Sequence, residues 1–201
     1  MPDDETIEAY NREVNAYMEI TRNEEPGEAL SSFLNLINQS ALQAHPILDL
    51  GCGPANSSNF MRQEGFKVDP VDASSEMVAL ANATYGIGAR LGTFDEIDST
   101  DIYGGVWANF SLLHAPKSEM PKHLVAIHRA LKTNGVFHIA LKLGEAEKRD
   151  RLGRMYTYYS EPEIVNLLEN NGFDVVSVQT GEQASLTGDM EPWITLLCQR
   201  I

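Results

Sequence analysis

Asp49, Gly51, Gly53 and Asp72 are the residues whose types and spacing point most directly to chemistry. The run Ile47-Leu48-Asp49-Leu50 is apolar enough for a buried strand. It stops at Gly51-Cys52-Gly53, and residues 56–63 read as the start of a helix. Glycines let the chain reverse through torsions that other residues resist, and they let a ligand approach a backbone that carries no Cβ. Neither Gly-x-Gly-x-x-Gly nor Gly-Lys-Ser/Thr follows, so this is a nucleotide-binding corner without a phosphate loop. Asp72 ends the next apolar strand about twenty residues past the first glycine, the spacing at which a carboxylate accepts hydrogen bonds from ribose hydroxyls. Asp72 is also well placed, as a plain structural charge, to favour the dipole of the helix that follows.

Three further places carry polar groups. Asn109 is the polar residue of the apolar strand 104–110, and a buried amide needs partners from a ligand or from backbone. His114 follows a few residues later, where a neutral imidazole would accept a substrate proton near neutral pH. The segment 142–159 concentrates Lys142, Arg149, Arg151, Arg154, Tyr156, Tyr158 and Tyr159, either as the wall of an acceptor pocket or as ordinary packing in a mixed-charge loop. Aromatics there suit a planar or cationic acceptor, and Arg154 with Lys142 suits a carboxylate.

These positions must be held by elements, and the chain supplies them in alternation. Helical periodicity covers 5–23 and, from Pro26, about 26–44. Strands read at 46–50, 67–71, 89–92, 104–110, 136–142, 173–178 and 193–199. Helices between them read at 56–63, 75–84 with Ser74 as N-cap, 118–132 stopping at Asn134-Gly135, and 162–171. Strands separated by helices imply parallel βαβ units. The last two strands have no helix between them and pair antiparallel. The expected fold is α/β: a three-layer αβα sandwich with an open, mostly parallel seven-stranded sheet, one antiparallel strand near the C-terminus, and two N-terminal helices. One domain is expected over 1–201, with 1–44 as a helical lid and 45–201 as the core.

Composition sets bounds. The chain has 201 residues, 43% apolar and 22% charged, as a soluble globular protein does. A net charge of -14 argues against a phosphate-backbone partner. Cys52 and Cys198 suggest neither a disulfide framework nor a metal cluster, and Cys52 reads as packing. No metal is expected. There is no apolar signal core at the N-terminus and no run near the ~20 residues that span a bilayer, so a cytoplasmic protein without membrane partners is expected.

Asp49-Leu50-Gly51-Cys52-Gly53 resembles the first motif of the class I S-adenosylmethionine (SAM) dependent methyltransferases, and the resemblance runs from about Tyr10 to the C-terminus. It implies that Gly51, Cys52 and Gly53 pack on the methionine half of SAM, with Asp49 near its amino group. It also implies Asp72 on the ribose, Ala73 and Met77 flanking adenine, Thr93 and Phe94 at the adenine edge, and Asn109 near the reacting methyl. Asp95 could replace Thr93 at the adenine amino group. Tyr10 and Tyr17 would form a lid, with Lys142, Arg154, Tyr156 and Tyr159 as an acceptor wall and His114 as a candidate base. The implied reaction moves a methyl group from SAM to a small-molecule O- or N-acceptor and leaves S-adenosylhomocysteine. Rival readings are an RNA-modifying methyltransferase, a SAM-binding protein without turnover, and an NAD-dependent oxidoreductase, against which the missing third glycine counts.

Overall fold

The computed structural model describes residues 3–21, 27–185 and 188–201. Three helices precede the first strand: α1 (Asp4–Arg12), α2 (Val14–Thr21) and α3 (Glu28–Gln39). Two were expected. The first breaks at Glu13, whose backbone N–H still bonds back to Ala9 O at 3.0 Å. The break has a geometric consequence: Tyr10 and Tyr17 would be about 10 Å apart along a straight helix, yet their rings meet edge-on at 5.9 Å. The expected helix start at Pro26 lies outside the described residues.

The strands are β1 (Ile47–Leu50), β2 (Val68–Asp72), β3 (Arg90–Leu91), β4 (Tyr103–Asn109), β5 (Leu131–Leu143), β6 (Glu147–Arg149), β7 (Met155–Tyr159), β8 (Phe173–Ala184) and β9 (Met190–Arg200). Helices α4 (Asn56–Gln63), α5 (Ser75–Tyr85), α6 (Met120–Ala130) and α7 (Glu161–Asn170) connect them. The central seven strands run β3-β2-β1-β4-β5-β9-β8, and β9 alone among them is antiparallel to its neighbours. That is the expected sheet. The two additional strands, β6 and β7, form a hairpin within the segment 142–159, where a mixed-charge loop is expected from the sequence. β7 pairs with Lys142 and Leu143 beyond the end of β4, extending that row of the sheet above the strand ends.

Apolar side chains of α6 and α7 pack on one sheet face with Leu48, Val106, Ile139 and Leu196, all under 3% exposed. Phe33 and Ile37 of α3 pack on the other face with Ile47, Met61 and Trp107. Each such fully buried side chain contributes roughly 1.5–3 kcal/mol, so the two layers hold the strand ends rigidly. Helix α6 stops at Ala130, before the Asn134-Gly135 stop, because the N–H groups of Asp101 and Ile102 bond the carbonyls of Arg129 and Ala130. No helix among the described residues is long and apolar enough to cross a membrane.

Candidate functional site

The carboxyl ends of β1, β2, β3 and β4 open into a cleft with about 980 Å³ of empty space, part of it continuous with solvent. Gly51 and Gly53 form its floor, at φ +78° and +51°. The N–H groups of Gly51 and Cys52 both donate to Val71 O, at 2.8 and 2.9 Å, tying the turn to β2. A Cβ on Gly51 would stand 2.3 Å from Ser111 Cβ, so only glycine lets the turn nest against Ser111, whose hydroxyl donates to Leu50 O. Ala55, just before α4, is a fully buried non-glycine residue at φ +64°, an arrangement that costs on the order of 1 kcal/mol and is held by packing.

Cys52 does not face the cleft. Its side chain joins Ala55, Ala81 and Ala89, and burial pushes its thiol well above the ordinary range. The turn therefore offers its two glycines and its backbone, and the cysteine is packing. Asp49 also sits beneath the floor, 2% exposed, accepting from Ser58 Oγ at 2.6 Å. Desolvation raises its pKa to about 7.

Asp72 does face the cleft. One carboxylate oxygen accepts from Gly53 N at 2.7 Å and the other from Ser74 N at 2.8 Å, so the acid joins the glycine turn to the start of α5. A carboxylate has about four acceptor positions, which leaves each oxygen one for a diol. Ala73, Met77, Thr93 and Phe94 line the same side. Thr93 N donates to the Glu96 carboxylate at 2.6 Å, fixing the turn after β3. Asp95 is paired with Lys122 at 2.6 Å. Glu119 and His123, which no local sequence signal marks, lie close to Asp95, and Lys122 stands 3.7 Å from Glu119.

Asn109 and His114 stand at the far wall with Phe110, whose φ of +53° turns the chain out of β4. Asn109 is exposed, not buried as expected, and its Oδ1 contacts His138 Nε2 at 3.2 Å. His114 is not poised near neutrality either: burial lowers its pKa to about 4. Its Nδ1 lies 2.6 Å from Met155 O, which only accepts, so Nδ1 carries the proton and Nε2 accepts from Tyr10 Oη at 2.8 Å.

Tyr10 and Tyr17 close the cleft from above. Helix α1 is clamped along its length. Arg149 of the hairpin grips Asp3 at 2.7 and 2.8 Å, Met155 N donates to Thr6 Oγ1 at 2.8 Å, and Ser74 Oγ donates to Asn11 Oδ1 at 2.7 Å. The other expected wall residues do not line the cleft. Arg154 is 2% exposed and held by Asp150 at 2.6 Å, so its carboxylate-binding capacity is already used. Lys142 ion-pairs with Glu191 and lies 3.9 Å from the Tyr156 ring centre, and burial lowers its pKa to about 8. Tyr156 packs behind His114 at 4.9 Å between ring centres, and Tyr159 is 1% exposed in the core.

The lining holds Asp3, Asp72, Asp95 and Glu119, and no lysine or arginine among the described residues. Arg149 pairs with Asp3, and Lys122 with Asp95 and Glu119, so Asp72 is the acid of the lining without a basic partner among the described residues. That leaves one unneutralised carboxylate beside the glycine backbone, a floor that suits a cationic ligand better than a diphosphate.

Similarity to known proteins points the same way. An uncharacterized methyltransferase of Staphylococcus carnosus is 25% identical over 149 residues, covering 74% of this chain and 71% of the relative. One of Schizosaccharomyces pombe is 26% identical, covering 76% and 68%. Among solved structures, the Burkholderia thailandensis 1,6-didemethyltoxoflavin N1-methyltransferase with bound 1,6-didemethyltoxoflavin and S-adenosylhomocysteine shares the fold. Its TM-score is 0.74 at 18% identity, covering 98% of this chain and 88% of that one. A family profile described as a methyltransferase domain matches residues 18–178, from α2 to β8 and across the whole glycine, Asp72 and Asn109 floor. The chain belongs to that family and is a class I SAM-dependent methyltransferase.

Proposed function

We propose that the enzyme methylates a small-molecule O- or N-acceptor, with residues 1–44 covering a core of residues 45–201. The observation that carries this reading is the roof: Tyr10 and Tyr17 stand over the cleft, and α1 is clamped on both sides. A roofed cleft admits a compound more readily than a polymer strand. The net charge of -14 supports the same reading, since it repels a phosphate backbone.

Bound SAM supplies a methyl group already activated by its sulfonium. The chain's part is then chiefly orientation and exclusion of water. The Asp72 bridge fixes the glycine floor relative to α5, and the positive-φ turn at Phe110 sets the far wall. For an acceptor that must lose a proton, Tyr10 and His114 form a relay. Tyr10 Oη receives the proton as its own moves to His114 Nε2, and Arg154 Nη1, 3.4 Å from Oη, favours negative charge on that oxygen.

The test is incubation with methyl-labelled SAM and a cell extract separated by size before and after nuclease and protease treatment. Label in a low-mass compound is expected. Label that stays with RNA or protein would sink the small-molecule assignment.

A further inference from the structure

A second chamber adjoins the cofactor cleft and shares two of its wall residues, Asn109 and Phe110. It holds about 1400 Å³ of empty space, part of it continuous with solvent, between the starts of α3 and α4 and the β8–β9 pair. Resting on the proposed small-molecule methylation, we infer that this chamber receives the methyl acceptor, and that the acceptor is a flat, uncharged ring with lactam-type hydrogen-bond donors and acceptors.

Position is the first argument. Asn109, the last residue of β4, and Phe110 after it line both spaces, so a group seated in the second chamber lies against the same wall as the cofactor cleft and away from the roof. Asn109 is fixed there. His138, stacked on Trp107 at 3.7 Å between ring centres and 14° from parallel, is kept neutral by burial, and its Nε2 meets Asn109 Oδ1. With its oxygen committed to His138, the amide has N–H donors to present to the chambers it lines.

The second argument is the lining. Among the described residues it has no lysine, arginine or aspartate, and its one carboxylate is Glu28. Its polar groups are mostly side-chain amides, Gln179 and Gln183 among them, and both tryptophans of the chain, Trp107 and Trp193, border it. A cationic acceptor would call for acids, and a carboxylate acceptor for a guanidinium or ammonium. Amides beside the Trp193 indole match a neutral planar ring instead, since amides both donate and accept and an indole stacks, whereas Trp107 is 3% exposed with its face already taken by His138.

The third argument is construction. Gln179, Gly181 and Gln183 alternate on one face of β8, and Trp193 is the β9 partner of Gly181. A Cβ on Gly181 would lie 2.4 Å from Trp193 Cζ2 and 2.8 Å from Cε2. Glycine is thus what lets the indole lie down on β8 between the two glutamines, forming a platform with an amide on either side.

The test uses the two tryptophans as the reporter. The enzyme saturated with S-adenosylhomocysteine is titrated with uracil, benzylammonium and benzoate while tryptophan emission is followed. Saturable quenching by uracil is expected, at least tenfold tighter than by either charged probe. It should weaken at least fivefold in Gln183→Leu and in Gly181→Ala, with S-adenosylhomocysteine affinity by calorimetry within twofold of wild type in both. Equal or tighter response to a charged probe, or a uracil response unmoved by both substitutions, overturns the inference. Label found in low-mass compounds together with no uracil response overturns the chamber assignment alone. Label confined to RNA or protein overturns the small-molecule reading and the acceptor role with it.

Discussion

Tyr10 Oη and His114 Nε2 are 2.8 Å apart although 104 residues separate them in the chain. The bond has one direction, because Met155 O holds the imidazole proton on Nδ1. Tyr10→Phe removes the only donor that Nε2 has among the described residues and the phenolic end of the relay. For an acceptor that must lose a proton we expect kcat to fall roughly 10- to 100-fold, with cofactor affinity changed less than threefold. An unchanged kcat would show that the pair is only a strut.

The pH dependence of that pair is also set. The folded pKa of His114 is depressed to about 4 from an ordinary value of 6.5, so the imidazole is neutral and able to accept a proton throughout the range above pH 5. Steady-state kcat should therefore show no loss with a midpoint near 6.5 as pH falls from 8 to 5.5. A limb at that midpoint would mean that His114 is hydrated and not buried as described.

Gly51 is the position where a single methyl does most harm. At φ +78°, with Ser111 Cβ 2.3 Å from the added atom, Gly51→Ala combines backbone strain with overlap. We expect a loss of about 2–4 kcal/mol, read as a shift of the urea midpoint. The double variant Gly51→Ala with Ser111→Gly should recover part of it, because the clash is between those two side chains. Additive losses would place the damage elsewhere.

Asp72→Asn keeps the shape but replaces one accepting oxygen with a donor facing an N–H. Either Gly53 N or Ser74 N then loses its partner. Cofactor affinity should drop by about 1.5–3 kcal/mol in calorimetry, with a smaller loss of thermal stability. Equal affinity would show that Asp72 does not hold the cofactor's ribose.

Asp49 carries a sign that distinguishes it from an ordinary surface acid. Its folded pKa of about 7 lies above the unfolded value of 3.8, so between these two pH values the unfolded chain releases a proton that the folded chain retains. Stability therefore falls as pH rises from about 4 to 7 and stays low beyond. Asp49→Asn should match wild type near pH 4 and exceed it at pH 8 by up to a few kcal/mol, measured as urea midpoints at both pH values. A variant less stable than wild type at pH 8 would contradict a buried carboxyl held by Ser58 and without a cationic partner among the described residues.

Much of this was legible in the chain because its signals are local. Apolar runs ending at Gly51 and Asp72, the Ser74 cap and the Pro162 start each lie within a few residues of what they position, and from them follow the alternating fold and most of the residues that floor the cleft. What failed was tertiary. The helical periodicity of 5–23 runs straight through Glu13, where only contact with the cleft reveals a break. Arg154 and Tyr159 read as pocket groups because their burial depends on β5 and Asp150. Asn109 read as buried because the strand around it is apolar, although the strand ends there. Gln179, Gln183 and Trp193 looked like plain strand residues, since only the pairing of Trp193 with Gly181 makes them a platform.

The fastening of α1 bears on how long a molecule stays inside. Only Thr6 and Ala9 of that helix are buried, and its principal ties are the Asp3–Arg149 fork, the Asn11–Ser74 bond and the Tyr10–His114 bond. Such ties break one at a time at small cost, and the partly exposed Asp3–Arg149 ion pair among them is screened by salt, unlike the two neutral hydrogen bonds or a packed apolar seam. Dwell time of the spent cofactor should thus shorten as ionic strength rises, which makes the N-terminal helix a setting for the pace of product escape more than for the strength of binding.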